Sequence, residues 1–166
     1  MKDKNLLLLT IWRLRCNRAS KGHFFATTLF HSFDYLFTFV NVAASIAVLG
    51  LSSATWISKG TEFTVWLNIA AIVTVITSIL QYILDFRITW KEHERASRSY
   101  GTVNRAIEHA IASGQVEEKE IAGFRGRLDE LGARSPTIPR IIWNRPKALS
   151  RTIMELEAQL TDDTSN

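Results

Sequence analysis

Four histidines, His23, His31, His93 and His109, and a single cysteine, Cys16, are the side chains beside the acids best suited to hold a metal or move a proton. A metal centre needs three or four such groups converging on one point. The linear spacing does not supply that: His93 and His109 fall on one helical stretch, yet at ~1.5 Å per residue they stand about 24 Å apart. A lone cysteine closes no disulfide within its own chain and builds no zinc site. There is no Gly-rich phosphate loop, no Gly-x-Ser-x-Gly elbow and no His-Glu-x-x-His pair. The histidines are therefore assigned to interfaces and packing. No catalytic constellation and no cofactor or metal site is expected.

The remaining chemistry lies in neutral polar residues set inside apolar runs. Tyr35 to Trp56 carries no charge, and Phe63 to Leu84 is similar. Each is roughly the 20 residues that cross ~30 Å of hydrocarbon as helix. In the first run Asp34, Thr38, Asn41, Ser45 and Ser52 fall within about 60° on a helical wheel, opposite Ala43, Ala47, Gly50 and Ala54. In the second, Ala71, Thr74, Ser78, Gln81 and Asp85 advance by threes and fours along one face. One account is packing, with small residues letting helices approach and polar residues hydrogen-bonding between them. The other is a water-filled path lined by the stripes once several copies assemble. Asp34 and Asp85 bracket the same ends of the two runs. They suit local pairing in the headgroup zone or, in a ring of subunits, an acidic girdle.

These patterns define an all-α membrane protein, a two-span helical hairpin that is homo-oligomeric. The expected organisation is a basic amphipathic juxtamembrane segment over 1–33, spans over 34–56 and 63–84, and a periplasmic turn over 57–62 between them. The second span has no breaker at its end, so it is expected to continue as one long helix over 85–112, with Ser113-Gly114 as its cap. Two further helices fall within 116–160, and 161–166 is expected to be a disordered tail. Along 85–112 the positions Trp90, Tyr100, Ile107 and Ile111 belong to a stripe alternating by threes and fours, expected to be an oligomer seam. The segment Arg140-Ile141-Ile142-Trp143-Asn144-Arg145-Pro146-Lys147 suits either an anionic leaflet or a packed elbow between helices.

Orientation follows from the bases. Lys2, Lys4, Arg13, Arg15, Arg18 and Lys21 precede the first span, Arg87, Lys91, Arg95 and Arg98 follow the second, and the turn has only Lys59. Both termini are thus expected in the cytoplasm of a bacterial inner-membrane protein. The start, Met1 to Trp12, is basic and then apolar. Arg13, Arg15 and Arg18 follow at once with no small-x-small site, so no cleaved signal peptide is expected. The net charge of +4 has this topological explanation, and nucleic acid is not an expected partner.

Trp12 followed by Arg18-Ala19 before the first span, Lys91-Glu92-His93-Glu94-Arg95-Ala96 after the second, then Tyr100 and Ile107-Glu108, give the chain a family likeness. It resembles the SLATT family, two-span bacterial effector domains found beside SMODS nucleotidyltransferases and SLOG nucleotide sensors. The resemblance covers roughly Leu6 to Ile111 and marks Trp12, Arg18, His93, Arg95 and Tyr100 as motif positions. It implies a membrane-disrupting, pore-forming effector of an antiphage or conflict system, triggered by a nucleotide second messenger or by a nucleotide-synthesising or nucleotide-sensing partner protein. Asp34, Thr38, Asn41, Ser45, Ser52, Thr74, Ser78, Gln81 and Asp85 are the candidate pore lining. The alternative is a membrane-anchored oligomeric scaffold that recruits a cytoplasmic partner. The expected contacts are membrane lipid and further copies of the chain.

Overall fold

The computed structural model describes residues 2–58, 61–114, 116–143, 151, 153–156 and 158, with side chains from Lys4 to Ala54 and from Thr64 onward. Among the described residues the helices run in order α1 (Lys2–Ser58), α2 (Thr61–Leu84), α3 (Phe86–Ser113), α4 (Glu118–Arg134) and α5 (Arg140–Trp143), and 153–156 are helical as well. No strand occurs among the described residues. The first proline is Pro136, so nothing before it removes a backbone donor from a helix. The chain divides into two units, Met1–Thr27 with Lys91–Asn166, and Thr28–Trp90.

Within the helical stretches Lys4–Ala54 and Thr64–Ser113, two windows are long and apolar enough to cross a membrane. Only 0% and 6% of those windows is buried inside the chain. A core helix of a soluble protein buries its apolar face against its own fold, and these do not. Tyr35, Phe39, Ile46 and Leu49 on α1, and Trp66, Ile72 and Ile83 on α2, all stand exposed. Apolar surface on that scale requires a lipid or protein cover.

α1 joins the expected juxtamembrane segment and first span in a single helix. The turn expected over 57–62 is helical on both sides, to Ser58 and from Thr61, and its centre lies outside the described residues.

The expectation of one unbroken helix after the second span is corrected at Asp85. This residue has φ +35° and separates α2 from α3. Its N–H still donates to the Gln81 carbonyl at 3.1 Å, while its own carbonyl accepts from the N–H groups of Ile88 and Thr89, each at 3.1 Å. Its Oδ1 accepts from the Ile88 N–H at 3.3 Å, as a residue at a helix start does. Aspartate tolerates left-handed backbone better than most side chains and supplies its own cap, so the helix stops and restarts on this residue. Beside the break, Phe86 is buried and packs at 5.8 Å from Phe33 and 5.5 Å from Phe37 between ring centroids.

The first unit is built on Leu9, Cys16, Val103 and Ile107, all buried. Trp12, Tyr100, Ile111, Phe124, Leu128 and Leu131 pack against them, so α1, α3 and α4 each contribute one face at helical spacing. Gly114 takes φ +64° and ends α3, as its lack of a Cβ permits. Glu117 caps α4 in a reciprocal box with Glu120, and α4 runs three residues beyond the expected Leu131, to Arg134.

This core uses part of the expected oligomer seam within the chain. Ile107 is 0% exposed against its own chain, and Tyr100 and Ile111 are spent on the same cluster. Ile107 has no surface left to offer a second copy, whereas Tyr100 and Ile111 are only half-buried. Trp90, in the other unit, meets His31 edge-on at 4.9 Å. Of the helix expected after Pro146, Ile153 is buried, whereas Pro146, Leu149 and Leu160 lie outside the described residues, as does 161–166.

Candidate functional site

Two arrangements have the polar groups that a function needs. The first lies between α1 and α2. Asn41 Nδ2 donates to Ser78 Oγ at 3.0 Å and to Gln81 Oε1 at 3.4 Å, and Gln81 Nε2 donates to Thr38 Oγ1 at 2.9 Å. Two residues of each stripe thus meet across the hairpin, as the matching wheel faces require. Thr38 and Ser78 are nevertheless exposed, so the network sits at the edge of the helix contact. Asn41 Oδ1 is the opposite case, buried with no hydrogen-bond partner. A buried acceptor left unpaired costs about 1–3 kcal/mol, so its position asks for a function or a further partner.

The other stripe members are not brought into this network. Ser45, Ser52 and Thr74 donate to the carbonyls of Asn41, Val48 and Ala70, each four residues back on its own helix. Asp34 is half-buried, and Asp85 is the helix break.

The second arrangement is a cleft of about 1090 Å³ in the first unit. Trp12, Arg15 and Arg18 line it from α1, Tyr100 from α3, Arg125 from α4 and Trp143 from α5. The α1 positions recur every three residues, which keeps them on one side of the helix. Arg18 stacks on Trp143 with its Cζ 4.3 Å from the ring centroid and reaches the Trp143 carbonyl with one guanidinium nitrogen at 3.4 Å. Its Nε is buried without a partner. Trp143 holds this contact while remaining exposed, as does Ile141, whereas Ile142 between them is buried. Ile142 fits the packed elbow and the exposed Ile141 and Trp143 leave the leaflet contact open, while Asn144, Arg145, Pro146 and Lys147 lie outside the described residues.

Next to the cleft, α1 and α3 approach through small polar residues. Ser20 Oγ donates to the Ser97 carbonyl and Ser97 Oγ to the Ser20 carbonyl, both at 3.0 Å. One turn away from each serine, His23 and His93 are both 2% exposed, and their Nδ1 atoms lie 2.9 Å apart. Tyr100 stacks on His23 with ring centroids at 5.6 Å. Burial pushes His23 down to about 4, helped by the His93 charge, and burial lowers His93 as well, against a raising influence from Glu92. Burial also lifts the Cys16 thiol to about 11, which keeps it protonated and unreactive.

Of the motif positions, Trp12, Arg18, His93 and Tyr100 gather in this unit, while Arg95 is exposed. Sequence reasoning missed the pairing of His23 with His93 and the contribution of Arg125. Among the described residues no cluster of three or more His, Cys, Asp or Glu side chains is placed to hold a metal.

No family model, curated protein or solved structure matches this chain. The class that the fold defines is therefore coarse: an all-helical chain with two helices long and apolar enough to cross a membrane.

Proposed function

We propose that the chain is a two-span membrane effector of the SLATT type that opens a path through a bacterial inner membrane. Both termini lie in the cytoplasm, several copies assemble, and a nucleotide signal or a partner protein triggers opening. The observation that carries this reading is the network of Thr38, Asn41, Ser78 and Gln81 inside an otherwise apolar hairpin. An anchor needs no amides in its spans, and polar groups at that depth mark ion or water pathways in membrane proteins. The amide N–H groups of Asn41 and Gln81 are engaged across the hairpin while Asn41 Oδ1 is left without a partner, and we take this arrangement as the closed state. Opening exchanges those bonds for water and for neighbouring copies. The motif residues that support the family likeness are those quoted above.

A membrane-anchored scaffold is the second reading, favoured by the observation that the same hydrogen bonds hold α1 to α2. Replacing Asn41 and Gln81 with Leu separates the two. The doubly substituted chain still inserts, because its spans are more apolar. Under the effector reading it assembles to the parent size yet no longer depolarises cells on induction. Parental depolarisation with parental assembly would leave the scaffold ahead.

A further inference from the structure

We infer that the cleft of the first unit is a binding site for a soluble organic anion that carries a flat ring. At about 1090 Å³ it is slightly larger than the roughly 300–1,000 Å³ of most small-ligand sites, ample room for this class. Its walls supply both halves of the recognition. Arg15, Arg18 and Arg125 bring three guanidinium groups, which stay charged at any pH the chain meets and present forked donors to phosphate or carboxylate oxygens. Trp12, Tyr100 and Trp143 bring three rings on which a planar group can stack.

Arg18 has a donor to spare. Its Nε is buried without a partner, and its one hydrogen bond, to the Trp143 carbonyl, is long at 3.4 Å. Glu118 and Asp129 line the same cleft on α4, yet neither pairs with it. Stacking on Trp143 instead holds the guanidinium in place with donors to spare, which is the preorganised condition for an incoming anion. The two acids have a complementary use, as acceptors for N–H groups on the ligand's ring. Charge distributed around the wall also disfavours a lipid tail, which needs an unbroken apolar lining.

This inference deepens the effector reading by placing a binding site for its trigger on the chain itself, and it rests on that reading only for the consequence of binding. The test is calorimetry on the full chain in detergent, with adenosine monophosphate and 1-naphthyl phosphate as ring-bearing anions. Inorganic phosphate and adenosine serve as half-ligands, and oleate as the lipid-like competitor. At least one ring-bearing anion should bind, each half-ligand should bind tenfold or more weakly, and Arg18→Gln and Arg125→Ala should each weaken binding about tenfold or more. Melting of both variants without ligand should match the parent, which separates lost contact from lost fold. Silence from both ring-bearing anions, equal binding of phosphate alone, or preference for oleate would overturn the assignment. None of these outcomes touches the depolarisation assay, so the cleft and the pore stand or fall separately.

Discussion

His23 and His93, seventy residues apart in the chain, face each other through their Nδ1 atoms at 2.9 Å. At that distance one imidazole donates and the other accepts, so the pair holds only when at least one ring is neutral. It ties α1 to α3 in the unit that carries the cleft, one turn from the paired serines.

The pair makes stability depend on pH in a defined direction. Both folded-state values lie below the ordinary 6.5, that of His23 at about 4. The unfolded chain therefore binds more protons in this range. Stability is complete above 6.5 and falls as the pH drops from there toward 4. The melting temperature of the solubilised chain should be several degrees lower at pH 5 than at pH 7.5. Replacing both rings by Leu should flatten that dependence, because no imidazole with a depressed value is then left to titrate. His93→Leu alone leaves one buried imidazole nitrogen without its partner and should cost about 1–3 kcal/mol at neutral pH.

Two helical glycines should respond differently to Ala. A Cβ on Gly101 would sit 3.7 Å from Ser20 Oγ, an ordinary contact, whereas on Gly22 it would come within 2.8 Å of Ile138 Cδ1. Gly101→Ala should stabilise by up to about 1 kcal/mol through helix propensity. Gly22→Ala should gain less or lose stability, as Ile138 must shift first. Thermal melts of the two variants side by side decide it, and equal gains would mean that Ile138 yields freely.

Ile107 is a folding residue of its own chain. Ile107→Ala should cost about 2–5 kcal/mol, read as a lower melting temperature of the first unit. Oligomer size measured below that temperature should be unchanged. A smaller oligomer with parental melting would restore the seam as a contact between copies.

Reporter fusions check the topology. Fusions at both ends should be active as cytoplasmic reporters, because bases flank the two runs on one side while the turn between them is nearly neutral. A C-terminal fusion active only in the periplasm would reverse the orientation and with it the proposed access to the cleft.

Much of the helical plan was legible in the sequence because it rests on local rules. Gly114 as a stop, the acids at the start of α4 and the two apolar runs depend on neighbours a few residues away. The meeting of Asn41 and Gln81 was also readable, since each lies on a stripe computed from one helix. What escaped required knowing which residues of α1 lie beside α3. His93 was compared with His109, on its own helix, whereas its partner His23 comes from another. Trp143 was read with its basic neighbours, and its actual contact is Arg18. The break at Asp85 escaped for a different reason. Its fragment has no Gly or Pro, and aspartate in left-handed backbone leaves no compositional trace.

That break sets where the chain tolerates a change of length. In an unbroken helix each added residue turns everything beyond it by about 100°, moving buried side chains onto the outside. Inserting Ala in the middle of α2 would swing Ser78 and Gln81 away from Asn41 and Thr38. Inserting it next to Asp85 lets the irregular backbone take up the extra residue, so the faces of α2 and α3 keep their internal phase. The point between Leu84 and Phe86 is thus the natural seam for length variation among descendants of this sequence, and for joining a foreign cytoplasmic helix to this hairpin.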